Sequence, residues 1–219
     1  MIKAVFADYT GTLVNDWCDE LDELLDRIHK NCSIQSRDEV INEWRRLSKE
    51  YEENSYMDTY INEDEICMKV LEYFCDNYSL KEDMDALGSL ISGFLNGPNI
   101  YPEVKEFFRI CPLPVYIISN NGIHYVRHAM KVNGLHSQSI ISADDVKAYK
   151  PKKEIFERAF ELSGCTPDEV IHIGDSYNTD YLGATSLGIK AVLLDRDNRH
   201  NRDDIPVVKD FIEFVNLIK

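Results

Sequence analysis

Five short apolar runs punctuate the chain: Lys3–Ala7, Val115–Ser119, Ser139–Ser142, Val170–Gly174 and Lys190–Leu194. They carry Val and Ile and are mostly too short for helices, so each predicts a strand. Near-continuous apolarity, rather than alternation, marks strands covered on both faces, as in a parallel sheet. Between the later runs, apolar residues recur at helical spacing. Val126, Met130 and Val132 form one such set, and Ile155, Ala159 and Leu162 another. Thr166-Pro-Asp-Glu169 reads as a capping box with proline at the first helical position, opening a short turn before the next strand. Strands alternating with helices predict a doubly wound α/β domain.

The stretch from Val14 to Gly97 contains no convincing strand. Leu21, Leu24, Leu25 and Ile28 keep helical spacing, as do Val40, Trp44, Leu47 and Tyr51. Ile66, Val70, Tyr73 and Phe74 follow, then Met84, Leu87, Ile91 and Phe94. Ser36-x-x-Glu39 and Ser79-x-x-Glu82 have capping-box spacing and divide the region. The pattern predicts a four-helix insertion after the first strand. The core would comprise residues 1–14 and 98–219, and the insertion residues 15–97. Asn96-Gly-Pro-Asn99 is the turn cluster expected to return the chain to the core.

Charge sharpens this division. Net charge is −15. Val14–Gly97 holds 21 acidic and 8 basic residues, and the remainder 18 and 16. An acidic surface repels phosphate backbones and anionic membranes, so neither nucleic acid nor membrane is an expected partner. No apolar run approaches the ~18 residues of a membrane span, and the N-terminal segment lacks signal-peptide character. A cytoplasmic protein, monomeric or homodimeric, is expected. Cys18, Cys32, Cys67, Cys75, Cys111 and Cys165 show neither C-x-x-C pairing nor zinc spacing, and are read as buried small hydrophobes.

In an open α/β sheet, ligands bind beyond the carboxyl ends of the strands. Polar residues collect there. Strand one ends at Asp8, followed by Tyr9-Thr10-Gly11-Thr12, and strand two at Ser119, followed by Asn120-Asn121-Gly122. Lys150-Pro151 follows strand three, and Gly174-Asp175 through Asp180 follows strand four. Each cluster alone is a common turn former. Together they suit carboxylate attack on phosphorus, in which an anion attacks an anion and charge must be neutralised. Mg²⁺ on paired carboxylates and a lysine would supply that neutralisation. Asp8 and Asp175 can meet at a metal if strands one and four are neighbours, with Lys150 and Ser119 gripping phosphoryl oxygens. Gly11 and Gly122 permit tight turns whose N–H groups face an anion.

These motifs resemble those of the haloacid dehalogenase (HAD) superfamily: Asp8-Tyr-Thr-Gly-Thr-Leu13, Ile118-Ser119-Asn120, Lys150-Pro151, and Gly174-Asp175 with Asp180 and Gly183-Ala184. The resemblance covers Met1 to about Leu194. It implies a Rossmann-like core with a helical cap of the C1 type inserted after the first motif. It also implies Asp8 as nucleophile and Ser119, Asn120 and Lys150 at the phosphoryl group. Mg²⁺ would be held by Asp8, the Thr10 carbonyl and Asp175. Asp180 would complete that site through water or by orienting Lys150. The expected substrate is a small phosphorylated molecule. The cap would close over it between hinges at Val14–Asp16 and Asn96–Asn99, and the cap's negative charge favours small monophosphates.

One position departs from the family pattern. Phosphatases of this family usually carry a second Asp two residues after the nucleophile, to protonate the leaving oxygen and activate water. Here that position is Thr10, whose hydroxyl is no proton-transferring acid near neutral pH. Such help is worth roughly 10²–10⁴ in rate. The expectation is slow turnover of poor leaving groups, or specialisation for acyl and aryl phosphates. His124 and Asp16 are candidate substitute acids, and Tyr9 and Trp17 candidate substrate contacts, with ordinary packing the favoured role for both aromatics. Two alternatives stand beside the phosphatase. Phosphonatase-like C–P cleavage would need a cap lysine (Lys30, Lys49 or Lys69), and a catalytically weakened binding protein would keep only the fold. Dehalogenases of the family lack the first acid of the last motif, so Asp175 speaks against dehalogenation.

Overall fold

The computed structural model describes residues 1–15, 17–97, 99–200 and 202–219. They divide into two compact units, Met1–Asp16 with Pro98–Lys219, and Trp17–Gly97. The first unit is built on six parallel strands: β1 (Ala4–Ala7), β2 (Val115–Ser119), β3 (Ser139–Ser142), β4 (Val170–Gly174), β5 (Lys190–Leu194) and β6 (Val207–Val208). Their order across the sheet is β3-β2-β1-β4-β5-β6. The chain winds outward from β1 through β2 to β3, then returns to the other side of β1 as β4. The strand order therefore reverses between β1 and β4, and a crevice opens there at the carboxyl ends. Val5 pairs in register with Val115 on one side and Ile171 on the other. All four residues of β1 and all five of β4, His172 included, are buried, as near-continuous apolarity predicts.

Alternate residues of β1 feed two cores. Val5 and Ala7 join Ile117, Ile173, Phe107, Phe211 and Phe214 on one face. Ala4 and Phe6 join Ile118, Ile155, Phe156 and Ala159 on the other. The helical unit contributes α1 (Asp19–Asn31), α2 (Arg37–Asn54), α3 (Glu63–Tyr78) and α4 (Met84–Asn96). The core unit adds α5 (Val104–Ile110), α6 (Ile123–Val132), α7 (Ala143–Val146), α8 (Lys153–Ser163), α9 (Gly183–Thr185) and α10 (Phe211–Ile218). The apolar face of α6 is Tyr125, Val126, Ala129 and Met130, while Val132 is 55% exposed. In α8, Ile155, Phe156 and Ala159 are buried, and Leu162 points outward at 42% exposure. In both helices the expected apolar stripe stops one residue early, at the last turn.

The helical unit has its own core. Leu21, Leu24, Leu25 and Ile28 are the buried face of α1, with acidic residues in its first turn and His29 and Lys30 in its last. Ser36 caps α2, its hydroxyl accepting from Glu39 N at 3.2 Å. The expected second capping box is not there. Ser79 sits at the end of α3 with φ +54°, and Asp83 caps α4 by accepting from Asp85 N and Ala86 N. Asn62 and Glu65 make the reciprocal pair that opens α3. Thr166 N donates to the Glu169 carboxylate, closing the one-turn Pro167–Glu169 helix before β4 as expected. All six cysteines are free thiols.

Candidate active site

Asp8 follows the last residue of β1, and its N–H donates to Ile173 O of β4 at 2.9 Å. The nucleophile candidate is thus pinned at the crevice by its own backbone. After it the chain turns tightly: Leu13 N and Val14 N both donate to Tyr9 O. Gly11 makes the turn possible at φ +78°. Its missing side chain also leaves room for Asp175, because a Cβ there would stand 2.4 Å from Asp175 Oδ2. From the other side, Asp175 N donates to Thr12 Oγ1 at 3.1 Å. The loops after β1 and β4 are therefore built against each other.

Lys150 lies at the centre of the charge arrangement. Its Nζ is 2.6 Å from Asp8 Oδ1 and 2.6 Å from Asp180 Oδ1. All three residues are almost wholly buried. Asp180 lies in a π-type turn, Tyr177–Leu182, which brings its second oxygen back to Ser176 N at 3.0 Å. His172 Nε2, from the middle of β4, stands 3.1 Å from Asp180 Oδ1. Burial pushes the Asp8 carboxyl up, with the Lys150 ammonium pulling against it. Burial also opposes charge on Asp180 and Lys150. For Asp180, Lys150 and His172 outweigh burial and hold the carboxyl below its ordinary range. For Lys150, the two carboxylates outweigh it and hold the ammonium above its ordinary value.

Asp8, Asp175 and Asp180 each offer a carboxylate oxygen within 4.8 Å of the others. The cluster sets three carboxylates against the Lys150 ammonium, which touches Asp8 and Asp180. An all-oxygen carboxylate set fits a hard divalent cation such as Mg²⁺. Such an ion would also favour the ionised form of Asp8 against its burial.

Asn121 ties the second strand-end cluster to the first. Asn121 Oδ1 accepts from Thr10 Oγ1 at 2.9 Å and from Ser119 Oγ at 2.9 Å. Asn120 instead holds Lys150 by its backbone, Oδ1 accepting from Lys150 N at 2.7 Å. Asn120 thereby helps to position Lys150. His124 is exposed in the first turn of α6, its ring 3.8 Å from that of Tyr125. Tyr9 packs in the core, and Trp17 lies under the Arg37 guanidinium. Lys30 pairs with Asp26, Lys49 lies 3.6 Å from Glu53, and Lys69 is exposed. Asp16 and Pro98 lie outside the described residues, so the hinge expectations that include them do too.

Strand five adds residues not expected from the motifs. Buried Asp195 accepts from Arg199 N and His200 N. This places His200 Nε2 2.9 Å from Asp175 O. Arg196 donates to Thr12 O at 2.9 Å, pairs with Glu103 and lies 3.7 Å over the Tyr101 ring. The strand-end rule that marked Asp8 and Asp175 applies equally to Asp195, directly after β5.

Fold and site together define an α/β protein with a carboxylate–lysine cluster at the switch point of a parallel sheet. The chain belongs to the haloacid dehalogenase-like hydrolase family, whose model matches residues 2–188. Glyceraldehyde 3-phosphate phosphatase of Methanothermobacter thermautotrophicus is 30% identical over 95 residues, 39% of this chain and 42% of that protein. Haloacetate dehalogenase H-2 of a Moraxella species is 26% identical over 202 residues, 89% of this chain and 86% of that protein. The structure of L-2-haloacid dehalogenase from Xanthobacter autotrophicus shares the fold, with a TM-score of 0.79 at 21% identity, covering 100% of this chain and 98% of that one. The chain spans less than half the length of two of the curated relatives it matches. Among the described residues, no helix is long and apolar enough to cross a membrane.

Proposed function

We propose that this protein is a Mg²⁺-dependent phosphatase of small phosphorylated metabolites, working through an aspartyl-phosphate on Asp8. The observation that carries the reading is the cluster itself: Asp8, Asp175 and Asp180 offering carboxylate oxygens within 4.8 Å of one another, with Lys150 against two of them. Asp8, Asp175, Asp180 and the backbone carbonyl of Thr10 would hold Mg²⁺, which supplies charge neutralisation at the phosphoryl oxygens. An Asp8 oxygen bonds to phosphorus as the bond to the leaving oxygen breaks. Lys150 and Ser119 hold the phosphoryl group, and Asp180 keeps the Lys150 ammonium aimed at Asp8. Water then attacks phosphorus and frees Asp8. Thr10, with no carboxyl, brings no proton-transferring acid to either step.

The test is Mg²⁺-dependent phosphate release from an activated aryl phosphate, whose leaving group needs little protonation. Turnover is expected to vanish in Asp8→Asn and in excess chelator. A second reading, hydrolytic dehalogenation, is favoured by the near full-length match to a haloacetate dehalogenase. Halide release from 2-chloropropionate that survives chelator, without phosphate release from any ester, would replace the first reading with the second.

A further inference from the structure

His172 stands in the middle of β4, in register with Phe6 on one side and Ala191 on the other. Both neighbours belong to the second of the two cores, as does Phe156, whose ring lies 5.5 Å from the imidazole at an angle of 79°. The side chain is wholly buried. Its Nε2 faces Asp180 Oδ1 at 3.1 Å, whereas its buried Nδ1 meets no hydrogen-bonding group among the described residues. An unmatched buried nitrogen weakens a core that an apolar side chain would fill without that cost. Packing therefore does not account for an imidazole here, and the bond to Asp180 does. Nε2 bonds to a carboxylate only through a proton, and a proton on Nδ1 would have nothing to meet. The ring is thus a neutral imidazole that donates from Nε2. Three donors converge on Asp180: Lys150 Nζ at 2.6 Å and His172 Nε2 at 3.1 Å on Oδ1, and Ser176 N at 3.0 Å on Oδ2. A carboxylate oxygen has two lone-pair sites, so Lys150 and His172 together occupy those of Oδ1. We propose that His172 is a positioning residue whose Nε2–H fixes the Asp180 carboxylate and, through it, aims the Lys150 ammonium at Asp8 during phosphoryl transfer. This rests on the phosphatase reading and deepens it.

The test compares His172→Leu, His172→Gln and His172→Asn with wild type, in kcat and KM for an aryl phosphate and in urea unfolding. Gln carries its amide nitrogen as many bonds from the backbone as Nε2, whereas Asn carries it one bond short, at the depth of Nδ1. His172→Leu and His172→Asn should lose about 10–100-fold in kcat with KM little changed, the usual loss when the support behind a site carboxylate is removed. His172→Gln should recover most of that loss. His172→Leu should unfold at a higher urea concentration than His172→Asn and yet be as slow, which separates rate from stability. A role in packing alone would put Leu ahead of Gln in rate as in stability. That order, or a wild-type kcat in His172→Leu, overturns the assignment. Ring-nitrogen NMR of the wild-type protein, which needs no variant to fold and no substrate, should find the His172 proton on Nε2 and none on Nδ1. A proton on Nδ1 overturns the assignment as well. If wild type releases no phosphate from any aryl ester, the phosphatase reading fails and takes this role with it, whatever the ring shows.

Discussion

Two glycines show how tightly the site's carboxylates press against the backbone. A Cβ on Gly11 would meet the Asp175 carboxylate, and one on Gly174 would stand 2.3 Å from Asp180 Cγ. Neither neighbour can yield without moving a charged group off its partners. Gly174→Ala should therefore displace Asp180, and Lys150 with it. A misplacement near 1 Å costs roughly 10²-fold in rate, so a steady-state assay of the variant should show a loss of at least about that size with the fold intact by circular dichroism. The four motif residues that converge here, Asp8, Lys150, Asp175 and Asp180, were legible because strand ends in a parallel sheet share one edge. Asn121 was not, because its contact with Thr10 spans 111 positions and depends on side-chain direction. His172 left a signal that motif reading passed over: it is the single polar residue inside the Val-Ile-His-Ile run of β4, buried and placed against Asp180.

At the scale of elements, apolar spacing located every long helix, and polar capping patterns located the boundaries less well. Ser79-x-x-Glu82 has the spacing of a capping box, but Asp83 is the better acceptor position for α4, and Ser79 closes α3 in the left-handed region. Glu82 has other work. It accepts from Arg27 Nε at 2.9 Å and Asn31 Nδ2 at 3.2 Å, both on α1, and from Asp83 N at 3.0 Å. The Arg27 guanidinium and the Asp83 N–H hold its carboxyl at about 2, below the ordinary 4.5. A carboxyl lowered on folding stabilises the fold above its unfolded pKa, and that contribution is lost as pH falls through the folded one. Glu82→Gln should therefore be less stable than wild type at neutral pH, and the difference should shrink between pH 4.5 and pH 2. Urea titrations at several pH values would show it, and a pH-independent difference would contradict the pairing. β6 escaped the sequence reading because two residues, Val207–Val208, carry no periodicity. The strand is recognisable only through its pairing with Leu193 and Leu194.

For the whole molecule, net charge is −15, and the site gathers three of the carboxylates, two of them buried, within 4.8 Å of one another. A divalent cation that binds the folded state alone must then stabilise it, by about 2.7 kcal/mol at a concentration 100 times its Kd. Thermal unfolding should show a rise in Tm with Mg²⁺ in wild type and little or none in Asp175→Asn. An equal shift in both would place the ion elsewhere on the acidic surface. The division into a parallel α/β part and a helical part was legible because each has its own apolar period and its own charge balance. Sheet order was only partly so, since adjacency of β1 and β4 follows from shared chemistry at their ends and not from any local pattern. That adjacency shapes the birth of the chain as well. β1 is made first, yet its two partners begin at Val115 and Val170. At 5–20 residues per second, a nascent Ala4–Ala7 waits roughly ten seconds for its first neighbour and longer for its second. During that wait it is an unpaired apolar strand, while the whole of the compact unit Trp17–Gly97 has already been made.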